Sequence, residues 1–331
     1  MKALRILGML GAALAVAVLA GVALFWYTVC ADRTRPQSAT QIMVQHGATF
    51  DAVASELALA GVISNTLTFR LLAKLRDEEG AVRAGEYRFE PHATQNEILR
   101  ALVTGGAQVA TWVTIPEGFT AAQIAARLQA SGLGAADAFR SYFLAQQITV
   151  GGKRTKSLEG FLFPSTYLLQ FDAGPQQVAS LLTRQFLREL PRDAAARARA
   201  LHVSVPQVVT VASLVEREAK RQADRPHIAA VIYNRLRLGM PLQVDAAIEY
   251  ALPQHKSELS FSDLRFDSPY NTYIHTGLPP TPIANPGRPS LNAAFHPSAS
   301  QDLYYVYCGG GRHVFAKTLA EHQANVARCL Q

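Results

Sequence analysis

Residues 6–27 form an unbroken apolar run, ILGMLGAALAVAVLAGVALFWY, with no charged side chain. Its length matches the roughly 20 residues needed to cross a bilayer core. Trp26 and Tyr27 stand at its far end, where interfacial aromatics belong. A cleaved signal peptide would have a shorter apolar core and a small-x-small cleavage site, and Thr28-Val29-Cys30-Ala31 is a poor one. Val29 is also too large for the position ahead of a lipidated Cys30. The expectation is an uncleaved transmembrane helix over 6–27, with residues 1–5 in the cytoplasm and a polar linker over 28–40. Lys2 and Arg5 precede the run but Arg33 and Arg35 follow it, so charge alone gives only a slight bias in orientation.

After the linker the pattern changes to short amphipathic segments. Apolar spacing predicts helices over 50–58 and 64–74, a returning strand over 84–89 and a further helix over 94–102. Gly105-Gly106 breaks the pattern, and 109–115 reads as a strand that turns through 116–120 into a helix starting near Ala121. Residues 135–201 are rich in alanine and expected to be mainly helical. Within them, 158–169 is apolar and aromatic with a single acid, Glu159. Glu159 reads either as a surface acid at the start of a buried strand or as part of a cleft wall. The fold class is α+β: a membrane-anchored chain with a small subdomain over 41–105 and a larger mixed α/β domain over 106–331.

One stripe departs from ordinary amphipathic patterning. Ser204 suits a helix N-cap and Pro206 the first turn. Val208, Val211, Leu214, Val215 and Glu218 then recur at helical spacing, so a glutamate continues an apolar face. Glu216 lies about 200° round the helix from it, at roughly 100° per residue, and reads as a surface charge. A carboxyl group against apolar surface keeps its proton near neutral pH, as acid-catalysed glycosidic cleavage requires. The alternative is a glutamate neutralised by Arg225 or Arg235. A second helix over 231–238 is ended by Gly239, and 240–245 follows as an extended or turn segment.

Composition narrows the partners. The chain has 331 residues, 49% hydrophobic and 17% charged, enough for a sizeable core and unlike a disordered protein. The net charge of +7 suits an anionic polymer or lipid. No basic run with interleaved aromatics points to nucleic acid. The three cysteines leave open whether Cys308 and Cys329 pair or stay as thiols. The nine histidines show no metal-binding spacing, so neither metal nor cofactor is expected.

Several strings are dense in amide, hydroxyl and aromatic groups between prolines: Tyr270-Asn271-Thr272-Tyr273, Gly277-Leu278-Pro279-Pro280 and Ile283-Ala284-Asn285-Pro286-Gly287. Together with Ala212-Ser213-Leu214-Val215-Glu216-Arg217-Glu218, Tyr233-Asn234-Arg235-Leu236, Gly239-Met240-Pro241-Leu242-Gln243-Val244-Asp245, Leu158-Glu159-Gly160-Phe161-Leu162-Phe163-Pro164, Ala84-Gly85-Glu86-Tyr87-Arg88-Phe89 and the late Gly-Arg-His-Val-Phe, they resemble the endolytic murein transglycosylase (YceG-like) family. The order strand-helix-helix-strand in 41–105 more loosely resembles a lysin-motif module, which binds glycan chains.

The resemblance implies cleavage of the MurNAc-β-1,4-GlcNAc bond inside peptidoglycan glycan strands, leaving 1,6-anhydro ends. It implies Glu218 as the catalytic acid, with Glu159, Asn234, Gln243, Asp245, Tyr270, Asn271, Thr272 and Asn285 as candidates for gripping substrate or orienting the acid. It also implies a periplasmic or other extracytoplasmic domain tethered to the cytoplasmic membrane, acting on nascent glycan and associating with peptidoglycan synthases. Two other readings fit parts of the pattern. One is a non-catalytic, membrane-tethered glycan-binding scaffold. The other is a muramidase-type hydrolase in which Asp245 activates water.

Overall fold

The computed structural model describes residues 2–30, 38–252 and 259–329. Most of the expected linker therefore lies outside the described residues. The chain divides into two compact units, Met1–Trp112 with Leu168–Phe171, and Val113–Tyr167 with Asp172–Gln331.

The first unit opens with α1 (Lys2–Cys30), whose apolar stretch is Ala13–Tyr27. Among the described residues no single helix is long and apolar enough to cross a membrane. Next come β1 (Thr40–Val44), α2 (Phe50–Leu59), α3 (Thr66–Leu75), β2 (Gly85–Phe89), α4 (Gln95–Thr104) and β3 (Gln108–Thr114). The starts of α2, α3 and α4 are capped: Thr49 accepts from Ala52 N, Asn65 from Leu67 N and Thr68 N, and Thr94 forms a capping box with Glu97. β1 and β2 pair antiparallel from Thr40–Phe89 to Val44–Gly85. The core joins Leu57, Phe69, Leu72, Tyr87, Leu99 and Leu102, all buried. The expected strand-helix-helix-strand order is present.

The second unit carries α5 (Ala121–Ala130), α6 (Ala136–Ala145), the short pair β4 (Thr149–Val150) and β5 (Lys153–Arg154), and β6 (Thr166–Gln170), whose last residues join the first unit's sheet. It continues with α7 (Pro175–Glu189), α8 (Ala194–Ala200), α9 (Val205–Glu218), α10 (Arg225–Arg237), α11 (Asp245–Ala251) and α12 (Arg288–Phe295). The antiparallel hairpin β7 (Tyr304–Tyr307) and β8 (His313–Ala316) leads to α13 (Leu319–Cys329). Cys308 and Cys329 form a disulfide that ties α13 to the hairpin.

α9 is the axis of this unit. Ser204 and Gln207 make the capping box that starts it, with Pro206 in its first turn. Every residue from Val208 to Val215 is buried, on all faces of the helix. The stripe seen in the sequence is therefore one side of a helix enclosed by the core.

The segment 158–165 is not a buried strand, one of the two readings open for it. It is a buried turn region, and β6 begins only at Thr166. Gly160 holds φ +87°, and a Cβ there would lie 2.3 Å from Pro282 Cβ. Left-handed backbone together with overpacking should make Gly160→Ala cost about 2–4 kcal/mol. Thermal unfolding should reveal this, and an unchanged Tm would mean that the loop yields freely.

Candidate active site

α9 ends at Glu218, and its last turn sends three charged side chains in different directions. Glu218 lines a cavity of ≈ 390 Å³ together with Arg235, Gln243, Asp245, Tyr273, Tyr305, His313 and His322. Its Oε2 accepts a hydrogen bond from the Tyr305 hydroxyl at 3.0 Å. Burial raises its pKa to about 7, and the charges of Asp245 and Glu249 push in the same direction, against the Tyr305 hydrogen bond and Lys220. Neither Arg225 nor Arg235 pairs with it. Arg235 instead directs Nε to the Leu303 carbonyl and Nη1 to the carbonyls of Pro241 and Leu242 and to Gln243 Oε1. The acid thus lies beside a fixed guanidinium without being neutralised by it.

Glu216 is not the surface charge expected from the sequence. Its side chain is only 7% exposed, and Oε1 accepts from Arg225 Nη2 at 3.2 Å. Oε2 accepts from Gly287 N at 2.9 Å, and Arg225 Nε donates to Ser290 Oγ. The opposite face of α9 packs against α12, so a charge turned away from Glu218 still meets protein. Arg217, between the two glutamates, bonds Glu249 on α11 at 3.4 Å.

The remaining candidates separate into two groups. Gln243 and Asp245 reach the Glu218 cavity. Gln243 is held at φ +54°, a conformation that costs a non-glycine residue on the order of 1 kcal/mol and tends to mark functional sites. Its N–H donates to Thr272 O, and its Oε1 holds Arg235. Asp245 accepts from the Tyr273 hydroxyl at 2.6 Å.

The other six do not line this cavity. Thr272 Oγ1 accepts from Val244 N, which holds the loop that carries Gln243 and Asp245. Asn271 Nδ2 donates to Leu264 O and Phe266 O, while Asn234 Nδ2 donates to Ser300 O and Asp302 O. Tyr270 shares a hydrogen bond with Thr281 and packs against Tyr250. Asn285 donates to Phe119 O and Glu159 and accepts from Leu162 N.

Glu159 is 1% exposed, which excludes a surface acid. It accepts from Ala121 N, Asn285 Nδ2 and the Tyr250 hydroxyl. Burial raises its pKa to about 7, against those hydrogen bonds. It borders a second cavity of ≈ 580 Å³ with Arg140, Arg217 and Tyr250. Burial thus raises the pKa of both carboxyl groups to about 7, but they differ in access. The Glu159 carboxyl is bonded on both oxygens, whereas Glu218 has a single side-chain partner among the described residues.

Tyr305 and His322 did not stand out in the sequence. Tyr305 contacts Glu218 across 87 positions, so no local spacing could reveal it. The aromatic run Tyr304-Tyr305-Val306-Tyr307 beside a glycine turn was the available sign. Among the described residues, no cluster of three His, Cys, Asp or Glu side chains is placed to hold a metal ion.

Residues 42–328 match the YceG-like family. The chain is 34% identical over 302 residues to the endolytic murein transglycosylase of Bacillus subtilis (strain 168), covering 86% of this chain and 83% of the relative. It is 28% identical over 350 residues to the endolytic murein transglycosylase of Streptococcus pneumoniae serotype 2, covering 94% of this chain but 63% of that longer relative. A crystal structure of a yceG-like protein from Listeria monocytogenes aligns with a TM-score of 0.61 at 31% identity, covering 87% of this chain and 99% of that one. With a family match over most of its length and relatives of this identity, the chain belongs to the YceG-like family.

Proposed function

We propose that the chain is an endolytic lytic transglycosylase that cuts the MurNAc-β-1,4-GlcNAc bond inside peptidoglycan glycan, with Glu218 as its acid. The observation that carries this reading is a glutamate whose pKa burial raises to about 7, with no cation paired to it among the described residues, opening into a cavity at the end of a core-enclosed helix. The names of the curated relatives support the substrate class.

The chemistry needs one carboxyl group. Glu218 gives its proton to the glycosidic oxygen as the bond to C1 breaks, releasing the new GlcNAc hydroxyl. The resulting carboxylate takes the proton of the muramic acid C6 hydroxyl, whose oxygen bonds C1 and closes the 1,6-anhydro ring. Intramolecular attack gains from high effective molarity and needs no bound water. Arg235 and Gln243 sit where they can bond substrate oxygens. Thr272 holds the loop that carries Gln243 and Asp245, and Asn234 holds the segment that leads into β7.

Asp245 in the same cavity favours a second reading, a hydrolase in which it activates water. The product separates the two. Mass spectrometry of digested glycan should find internal cuts ending in 1,6-anhydro-MurNAc. Reducing ends would establish the hydrolase, release of terminal disaccharides alone would remove the endolytic assignment, and no cleavage at all would leave a glycan-binding scaffold.

In this reading α1 tethers the chain to the cytoplasmic membrane, and the rest acts outside it on nascent strands, alongside the enzymes that polymerise them. The apolar stretch Ala13–Tyr27 and the Cys308–Cys329 disulfide, a bond suited to oxidising compartments, support that placement.

A further inference from the structure

Tyr305 is held against Glu218 by more than their mutual hydrogen bond. It stands on β7 opposite Phe315 of β8. β8 is tied to the segment that follows α9, because His313 N and Nδ1 both bond Asp224 Oδ2, at 2.9 and 3.0 Å. Phe315 stacks on His227 of α10 at 3.8 Å between ring centroids. The Cys308–Cys329 disulfide joins the far end of β7 to α13. The phenol is thus set in place before any substrate arrives.

The two oxygens of Glu218 are then not equivalent. Oε2 accepts from Tyr305, while Oε1 has no hydrogen-bond partner among the described residues and is not sealed from the cavity. A phenol this deeply buried beside a carboxyl group keeps its own proton, its pKa being raised well above the ordinary value by burial and by Glu218. It can only donate.

We propose that Tyr305 is a positioning residue that reserves Oε2 as the acceptor, so that Glu218 carries its transferable proton on Oε1, the oxygen open to the cavity. The proposal rests on Glu218 being the acid. The same hydrogen bond strengthens once Glu218 becomes a carboxylate, so Tyr305 also stabilises the form that must next take a proton from the substrate. Burial alone would make Glu218 reluctant to release its proton, and the phenol offsets part of that.

Other charges face the same carboxyl group. Asp245 and Glu249 from α11 favour its protonated form, and Lys220 opposes them. Arg235, Tyr273, His313 and His322 complete the titratable wall of the cavity. Among the described residues, Tyr305 is the only one whose side chain hydrogen-bonds the Glu218 carboxyl group, so removing its hydroxyl should act first on that group.

The test is Tyr305→Phe in the full chain, which keeps the ring contacts with His313 and Phe315 and removes only the hydroxyl. Anhydro-end formation is followed from pH 5 to 9, and the Glu218 carboxyl group is titrated separately by infrared difference against Glu218→Gln. Activity falls as pH rises through the Glu218 pKa. In the variant that midpoint should move upward by about one pH unit, with the plateau kcat down about tenfold and KM unchanged within about twofold. A fluorinated tyrosine at 305, a stronger donor, should move the midpoint the other way. An unmoved midpoint in both the kinetic and the infrared titration would overturn the proposal, as would a loss confined to KM. If Glu218→Gln itself retains full activity, the acid assignment fails first and the Tyr305 role falls with it.

Discussion

Glu218→Gln is expected to lower the rate of anhydro-end formation by about 10²–10⁴ while leaving glycan binding intact. The amide keeps the volume of the side chain and can still accept from Tyr305, but it has no proton to give. The same substitution should act on stability in the opposite sense. A carboxyl group whose folded-state pKa is raised binds its proton more tightly folded than unfolded. Its contribution is therefore complete below the unfolded value of 4.5 and is lost as pH rises to about 7. The amide does not ionise, so at pH 8 the variant should exceed the native chain in stability by about 1–3 kcal/mol, a gain absent at pH 4. Activity assays paired with thermal unfolding at the two pH values check both halves. A folded variant with near-native rate would leave the glycan-binding scaffold as the better reading. Lost activity with no pH-dependent gain in Tm would mean that Glu218 is ionised in the native fold and is not the acid.

That the acid sits on an apolar stripe was legible in the sequence, because a helix of known period turns spacing into direction. Ser204, Pro206 and the run Val208 to Val215 specify the helix, and Glu218 follows on its face. Depth was not legible. Periodicity says that Glu216 points away from Glu218, but whether that side meets water depends on α12, which lies some seventy positions downstream (Glu216 to Gly287 spans 71). The polar strings posed a related difficulty. Asparagine and threonine between prolines serve equally to grip a ligand or to latch a loop, since both tasks need the same donors and acceptors. Asn285 shows the outcome, with its side-chain hydrogen bonds going to Phe119, Glu159 and Leu162 and none reaching the Glu218 cavity. Gln243 and Asp245 fall in the other group because the turn that carries them must end where α11 begins, at the mouth of the site. Tyr305 was hidden because a hairpin near the C-terminus closes the cavity, and nothing near Glu218 in the chain encodes that contact.

The correction at Glu216 turns a surface charge into a buried latch, and this sets the second large effect. Glu216→Ala would remove the carboxylate that Arg225, 14% exposed, bonds, leaving it the nearby charge of Glu117, and would leave Gly287 N without its acceptor at the start of α12. Removing one partner of this part-buried pair should cost about 2–4 kcal/mol, between the 0–1 kcal/mol of a surface pair and the 3–5 kcal/mol of a fully buried one. For a domain of about 200 residues this corresponds to a Tm lower by roughly 10 °C. Glu216→Gln keeps an acceptor for Gly287 N and should lose about half as much, since the charge-assisted bond to Arg225 weakens without vanishing. Neither variant touches the Glu218 cavity. At a temperature where both remain folded, kcat should stay within about tenfold of native and the pH midpoint should not move, because loss of a distant latch alters populations and not proton transfer. Thermal unfolding and pH–rate profiles of the two variants separate these consequences. If Glu216→Gln unfolded at the native temperature yet lost about 10² or more in rate, Glu216 would be the group that delivers the proton and the helix face assigned to the chemistry would be reversed.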